Sequence, residues 1–85
     1  MSPVRYTYAI SADALRFFTA CDVADQEALL SEFRGLAKEP QREGDLVVTS
    51  LAGRVEQVAQ RGRFLINYWA DHGAKEVRIT VLSWS

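Results

Sequence analysis

Cysteine, histidine and methionine each occur once in these 85 residues, and proline only twice. A lone thiol, Cys21, excludes a disulfide framework and a set of thiolate ligands for zinc, so it is read as a small buried apolar residue in a reducing compartment. No metal and no cofactor is expected. Long hydrophobic runs are also missing: nothing approaches the ~20 apolar residues needed to cross a bilayer. The opening MSPVRYTYAISADALRFF has no uninterrupted apolar stretch after a basic start. The expectation is a soluble, cytoplasmic protein without a membrane partner. Neither sign of charge is in excess, with ten Lys plus Arg against eleven Asp plus Glu, a net charge of −1 and a pI near 5.7. That balance excludes a chain whose whole surface embraces nucleic acid, but it leaves room for a local patch.

What is present is enough apolar material, 48% of the residues, for one small core, and residues 1–85 are expected to form a single domain. The charges are unevenly spread. Arg42, Arg54, Arg61, Arg63, Lys75 and Arg78 lie beyond residue 40, whereas Asp13, Asp22, Asp25, Glu27, Glu32, Glu39 and Glu43 lie before residue 44.

Val4 to Ile10 alternates, with Val4, Tyr6, Tyr8 and Ile10 on one side, and its β-branched and aromatic content predicts a strand that Pro3 keeps from starting earlier. Ser11 is placed to cap a short helix with Asp13 in its first turn, burying Leu15, Phe18 and Phe17. Thr19 to Asp22 break the pattern. Asp22 followed by Asp25 marks a new N-terminus, and the apolar stripe of Leu29, Leu30, Phe33, Leu36 and Ala37 predicts a second helix over about Val23 to Lys38, ended by Pro40. Two short helices cannot bury their stripes against each other alone, so both should lie on one face of a sheet.

After a polar loop from Gln41 to Asp45, Leu46 to Thr49 reads as a short strand and Ala52-Gly53 as a turn. In Arg54 to Gln60 the opposite parity of Val55 and Val58 leaves two alternatives, a bulge near Glu56 or a shallow strand covered in part on both faces. The stretch RGRFLINYWADHGAKEVRITVL, from Arg61 to Leu82, predicts a hairpin. Phe64, Ile66 and Tyr68 point to the core and Arg63, Leu65, Asn67 and Trp69 away, while Val77, Ile79 and Val81 oppose Glu76, Arg78, Thr80 and Leu82. Gly62 is placed in one tight turn, and Gly73 is expected to supply the positive φ of the other. The fold class is therefore α+β: an N-terminal strand, a helical hairpin and a three- to four-stranded antiparallel meander, with Tyr6, Leu15, Phe33 and Ile79 meeting in one interior and the opposite pleat bare.

The mixed face carrying Arg63, Leu65, Trp69, Arg78, Leu82 and Trp84 is the candidate contact surface. Arg78 on the strand beside Arg63 could converge with it on one anion, each also being readable as a surface cation paired with an acid such as Glu76. Arg54 and Arg61 could extend a cationic strip. Tyr68 shares the parity of Phe64 and Ile66 and is read as a core tyrosine with a bonded hydroxyl. His72, beside Gly73, is read as a solvated turn residue, and Glu56 and Lys75 as further groups able to carry a proton or a plain surface charge.

The order of elements, together with Tyr8-Ala9-Ile10-Ser11 before Ala14-Leu15, Leu36-Ala37 before Pro40, Gly53-Arg54-Val55, Gly62-Arg63-Phe64-Leu65-Ile66-Asn67-Tyr68 and Lys75-Glu76-Val77-Arg78-Ile79, resembles the RelE/ParE superfamily of toxins from bacterial type II toxin–antitoxin modules. The resemblance implies a RelE/ParE-like fold, a cognate antitoxin as partner, and one of two activities. RelE-like members are metal-independent endoribonucleases that cut mRNA on the ribosome; ParE-like members poison DNA gyrase by binding. Under the first, Arg63 is the closest match to the arginine that nuclease members carry on this strand; Arg63 and the cross-strand Arg78 are then the expected catalytic residues, with Arg54, Arg61 and Lys75 expected on the RNA phosphates. Leu65, Trp69, Leu82 and Trp84 are then expected to contact a partner, either the antitoxin or a second copy in a homodimer. Nuclease members commonly follow the last strand with a basic residue and often a Tyr, and Ser83-Trp84-Ser85 departs from that pattern. A non-toxic binding or dimerisation module of the same fold is the alternative from another class.

Overall fold

The Ser11 hydroxyl accepts the Ala14 N–H at 3.1 Å, satisfying one of the donors that a helix start leaves free, and so ends one element and begins the next. A computed structural model describes residues 5–85; Pro3 and Val4, where the sequence places the start of the first strand, lie outside the described residues. The elements are β1 (Thr7–Ile10), α1 (Ala12–Ala20), α2 (Val23–Lys38), β2 (Leu46–Thr49), β3 (Val55–Arg61), β4 (Phe64–Asp71) and β5 (Glu76–Trp84). Asp22 caps α2 as expected, accepting from the Asp25 N–H at 2.9 Å.

One five-stranded sheet runs β1-β5-β4-β3-β2. The pairs from β2 to β5 are antiparallel and β1 lies parallel to β5, so the α+β expectation holds with a mixed sheet. Both helices cover one face, where Ala14, Leu29, Phe33 and Leu36 meet Ala59, Phe64, Ile66, Tyr68, Val77, Ile79 and Leu82 in the core. Among the described residues, no helix lies on the opposite pleat.

Two residues of the expected interior are displaced from it. Leu15 is 48% exposed, and fully buried Ala14 replaces it. The stripe of α1 that faces the sheet is Ala14, Phe17, Phe18 and Cys21, an i, i+3, i+4, i+7 series from which Leu15 is one step off. Tyr6 sits half-buried at the rim, its hydroxyl 2.6 Å from His72 Nδ1.

The largest departure lies in β5. Tyr68 pairs with Ile79 and Asn67 with Val81, so Thr80 has no partner and forms a bulge. An extra residue reverses the parity of everything after it. Leu82 turns into the core at 6% exposure, Val81 turns out at 43%, and Trp84 stacks on Phe64, ring centroids 5.3 Å apart, with Phe17 at 5.0 Å. By contrast, β3 pairs with β4 in unbroken register, and of the two alternatives for Val55 and Val58 the shallow strand covered in part on both faces is the one found. Ala59 is buried on the helix side and Val58 on the other.

Gly44 packs so closely on β3 that a Cβ there would stand 2.6 Å from the Val58 carbonyl oxygen, too near for any side chain. In the β4–β5 turn the positive φ falls on Lys75, at 57°, and not on Gly73. Asp71 Oδ1 holds the turn by accepting the Ala74 N–H at 3.0 Å, and the left-handed residue closes it.

Candidate functional site

Trp69 stands at the centre of the uncovered pleat, directly beside Arg78 on β5. The Arg78 guanidinium lies 5.6 Å from the indole centroid, and that of Arg54, at the entrance to β3, lies 4.0 Å from it. Two cations and one indole thus share a cleft of about 420 Å³, completed by Ser11, Asp71 and Thr80.

Its charges are differently committed. Arg78 Nη2 lies 3.1 Å from Glu76 Oε1 and its Nε 3.4 Å from Asp71 Oδ2, yet the buried Nε–H finds no hydrogen-bond acceptor of good geometry. Asp71 is held below the usual carboxylate range, first by the Ala74 N–H and then, against some desolvation, by Arg78. Arg54 has no ion pair among the described residues and is the cation of this cleft free to take an anion.

Beside the cleft, on the same open face, Glu56 is 6% exposed, a buried carboxylate with no ion pair among the described residues. The Thr80 hydroxyl donates to Glu56 Oε1 at 2.8 Å and lies 3.3 Å from the Asn67 carbonyl. Ser11 donates in turn to the Thr80 carbonyl at 2.7 Å. The bulge is therefore pinned from both sides, by the helix cap and by the buried acid.

Arg63 does not join this group. It occupies the tip of the β3–β4 hairpin, bonded to Asp25 of α2 at 2.5 Å and 5.2 Å from the Trp84 ring. Trp69 lies six positions further along the chain, roughly 20 Å away at the rise of a strand. Convergence of Arg63 with Arg78 is thus corrected, and the acid beside Arg63 is Asp25, while Glu76 serves Arg78. Arg61 points to the helix side, where it joins Glu32 at 3.4 Å and Asp45 at 3.6 Å. Lys75 lies over Tyr6 at the far turn, 5.7 Å from its ring. Of the five expected cations, only Arg54 and Arg78 come together.

The expected partner surface is also redistributed. Leu65 and Trp69 lie on the open pleat, whereas the bulge removes Leu82 to the core and puts Trp84 on the helix side, half-exposed. A patch the sequence did not single out lies on edge strand β2 and beside it, where Leu46, Val47, Leu51 and Val55 are all more than half exposed. Tyr68 is the core tyrosine expected, donating to the Arg42 carbonyl at 3.1 Å, and burial pushes its hydroxyl pKa up. Cys21 is free, its pKa raised by burial and then by Asp25 and Asp22, as suits an unreactive thiol. No group of three or more His, Cys, Asp or Glu able to hold a metal ion occurs among the described residues, and no described helix is long and apolar enough to span a membrane.

No family model and no curated protein sequence matches the chain. Solved structures do. A chain of the toxin–antitoxin complex RelBE2 from Mycobacterium tuberculosis is similar with a TM-score of 0.78 and 25% identity, over 96% of this chain and 100% of that one. A chain of the archaeal RelE-RelB complex from Pyrococcus horikoshii OT3 is similar with a TM-score of 0.73 and 17% identity, over 95% of this chain and 96% of that one, a likeness of fold. The resemblance to the RelE/ParE superfamily is borne out.

Proposed function

We propose that this RelE/ParE-type chain is the toxin of a type II toxin–antitoxin pair, restrained by a cognate antitoxin, and that it inhibits translation by cutting mRNA on the ribosome. The observation that carries the cleavage is the Arg54–Trp69–Arg78 cluster on a sheet face without a helix, with a buried carboxylate, Glu56, beside it on the same face. The two similar structures are both toxin–antitoxin complexes, which supports an antitoxin as the partner.

Metal-free RNA cleavage makes a bond from the ribose 2′-oxygen to the adjacent phosphorus and breaks the bond from phosphorus to the 5′-oxygen of the next nucleotide. The 2′-proton leaves to a base, negative charge builds on the phosphate, and the departing oxygen regains a proton. Arg54 is free to meet that charge, and Arg78 adds a second cation already held in place by Asp71 and Glu76. Among the carboxylates of the open pleat, Glu56 is the one not engaged by an arginine and is the base this reading names. Trp69 offers a ring on which a nucleobase can stack.

A second reading, a gyrase inhibitor that acts by binding alone, is favoured by one observation. Arg63 and Arg78 are both bound by carboxylates and His72 by Tyr6, which leaves few polar groups free for proton transfer. Expression of the chain alone in a bacterial host separates the two. Under the first reading growth stops, transcripts are cut only while they are translated, and Arg54→Ala and Arg78→Ala abolish the cutting while remaining folded. Growth arrest with intact transcripts and an induced DNA damage response establishes the gyrase reading instead, and harmless expression overturns both.

A further inference from the structure

Every residue of β2 is exposed, although its sequence is Leu-Val-Val-Thr. Val47 pairs with Gln57 and Gln57 with the core residue Tyr68, so Val47 lies on the helix side of the sheet, and Leu46 and Val48 lie on the open side. Neither face is covered there, since Leu46, Val47 and the adjoining Val55 are more than half exposed and Val48 is exposed as well. β2 also ends the sheet, bonded to β3 alone. The Ser50 N–H donates to the Arg54 carbonyl, so by alternation Leu46 and Val48 spend their backbone groups on β3, while Val47 and Thr49 present theirs at the free edge. No lysine, proline or inward charge within β2 guards that edge.

These features select the occupant. An apolar edge exposed on both faces is covered on both only by continuing the sheet, whereas a helix or a flat surface would cover one. The occupant is therefore a strand, and one as neutral and apolar as β2. A second β2 meets both conditions. Antiparallel pairing about Val47 sets that residue against Val47 of the second copy, Leu46 against Val48, and Thr49 against Asp45, apolar on apolar and polar on polar. Moving the register by two residues would instead oppose Leu46 to Ser50 and Asp45 to Leu51. With no charge inside β2 and a net charge of only −1, two copies meet without strong repulsion.

We infer that β2 is a self-association edge, at which two copies of this chain pair about a two-fold axis at Val47 and continue into one sheet of twice the width. The seat differs from the Leu65 and Trp69 face, which stays open. Strand, hairpin tip and flanking loop cover on the order of 500 Å² per copy, the lower bound for a specific contact, so the dimer is reversible. The axis stands perpendicular to the sheet, which keeps both open pleats on the same side. Trp69 lies one residue off the level of Val47, and five strand spacings separate it from its copy, so the two Trp69 clefts face the same way about 25 Å apart. Nothing in this pairing depends on what the clefts bind.

Sedimentation equilibrium of the purified chain from roughly 1 μM to 1 mM is expected to show the mass rising from 9.5 kDa toward twice that value. Val47→Lys and Val47→Glu each set a charge against its own copy at an exposed position, so each should associate at least about tenfold more weakly while remaining folded. Mixed together, the two variants should regain association, because Lys then faces Glu. In a Cys21→Ser background, Val47→Cys should form an intermolecular disulfide at least about tenfold faster than Leu51→Cys, which is more exposed but is held far from its own copy by the antiparallel register. The cysteine comparison decides alone should a charged variant unfold. A mass that stays at one chain, undiminished association of folded Val47→Lys, or equal cross-linking of the two cysteine variants would each overturn the proposal. So would a mass that climbs past two chains, the mark of open-ended edge stacking.

Discussion

Thr80 and Glu56 are joined across the sheet by a hydrogen bond of 2.8 Å from the Thr80 hydroxyl to Glu56 Oε1, and this bond ties the one bulge in the β4–β5 ladder to the one buried carboxylate of the described chain. Thr80 is extra in its own strand, and the acid it satisfies is two strands away. The bulge thus has a polar reason to persist.

Thr80→Val keeps the shape of the side chain and removes the donor. A buried acceptor left unpaired costs about 1–3 kcal/mol, so urea denaturation should show a loss in that range. Glu56→Gln, which can still accept from Thr80, should lose less. Equal stability of Thr80→Val and the wild type would mean that the hydroxyl does not hold Glu56.

Arg54 packs on the Trp69 ring and has no ion pair among the described residues. Its replacement by Ala should cost only about 0.5–1 kcal/mol of stability, the scale of an exposed cation–π contact. The Trp69 fluorescence should change, while any RNA binding by the cleft falls much further than stability does. A large loss of stability would assign Arg54 a structural task and weaken the case for the cleft.

The bulge predicts opposite fates for two leucines that the simple alternation places together. Leu82→Ala should destabilise by about 2–5 kcal/mol, as for a buried leucine, with Leu65→Ala within about 1 kcal/mol of the wild type. Comparable losses in chemical denaturation would argue that β5 runs without a bulge.

The lowered pKa of Asp71 gives stability a pH dependence with a definite sign. A carboxyl whose folded pKa lies below its unfolded one contributes fully above the unfolded value, and the contribution is lost as pH falls through the folded value. Asp71→Asn should therefore flatten the acid limb of a thermal-stability profile below about pH 4, the usual carboxylate range, while the profile near neutrality keeps its shape. An unchanged acid limb would place the acid sensitivity in another group.

Much of the architecture was legible in the residues themselves. Ser11 and Asp22 mark helix starts because their side chains can reach N–H groups three residues on, and that chemistry is local. Phe64, Ile66 and Tyr68 declare their face by alternation alone. The site was less legible. Arg54 and Arg78 could be named as cations, but their meeting over Trp69 depends on the register of three strands. Ser11 was visible as a cap and not as the anchor of the bulge. Arg63 looked like a strand residue on the open side until the tight turn at Gly62 put it at a hairpin tip facing Asp25.

The sequence by itself determined the order of the elements, their caps and the inner stripe of α2, since each depends on neighbours within a few residues or on a period of 2 or 3.6. Only the tertiary structure decided the Thr80 bulge, the turning of Leu82 and Trp84 to the helix side, the parallel seat of β1, and the carboxylate that each arginine meets. The physical reason is distance along the chain: a bulge is a mismatch between two strands, and an ion pair between Arg63 and Asp25 spans 38 residues, so neither leaves a mark in the local pattern of either partner.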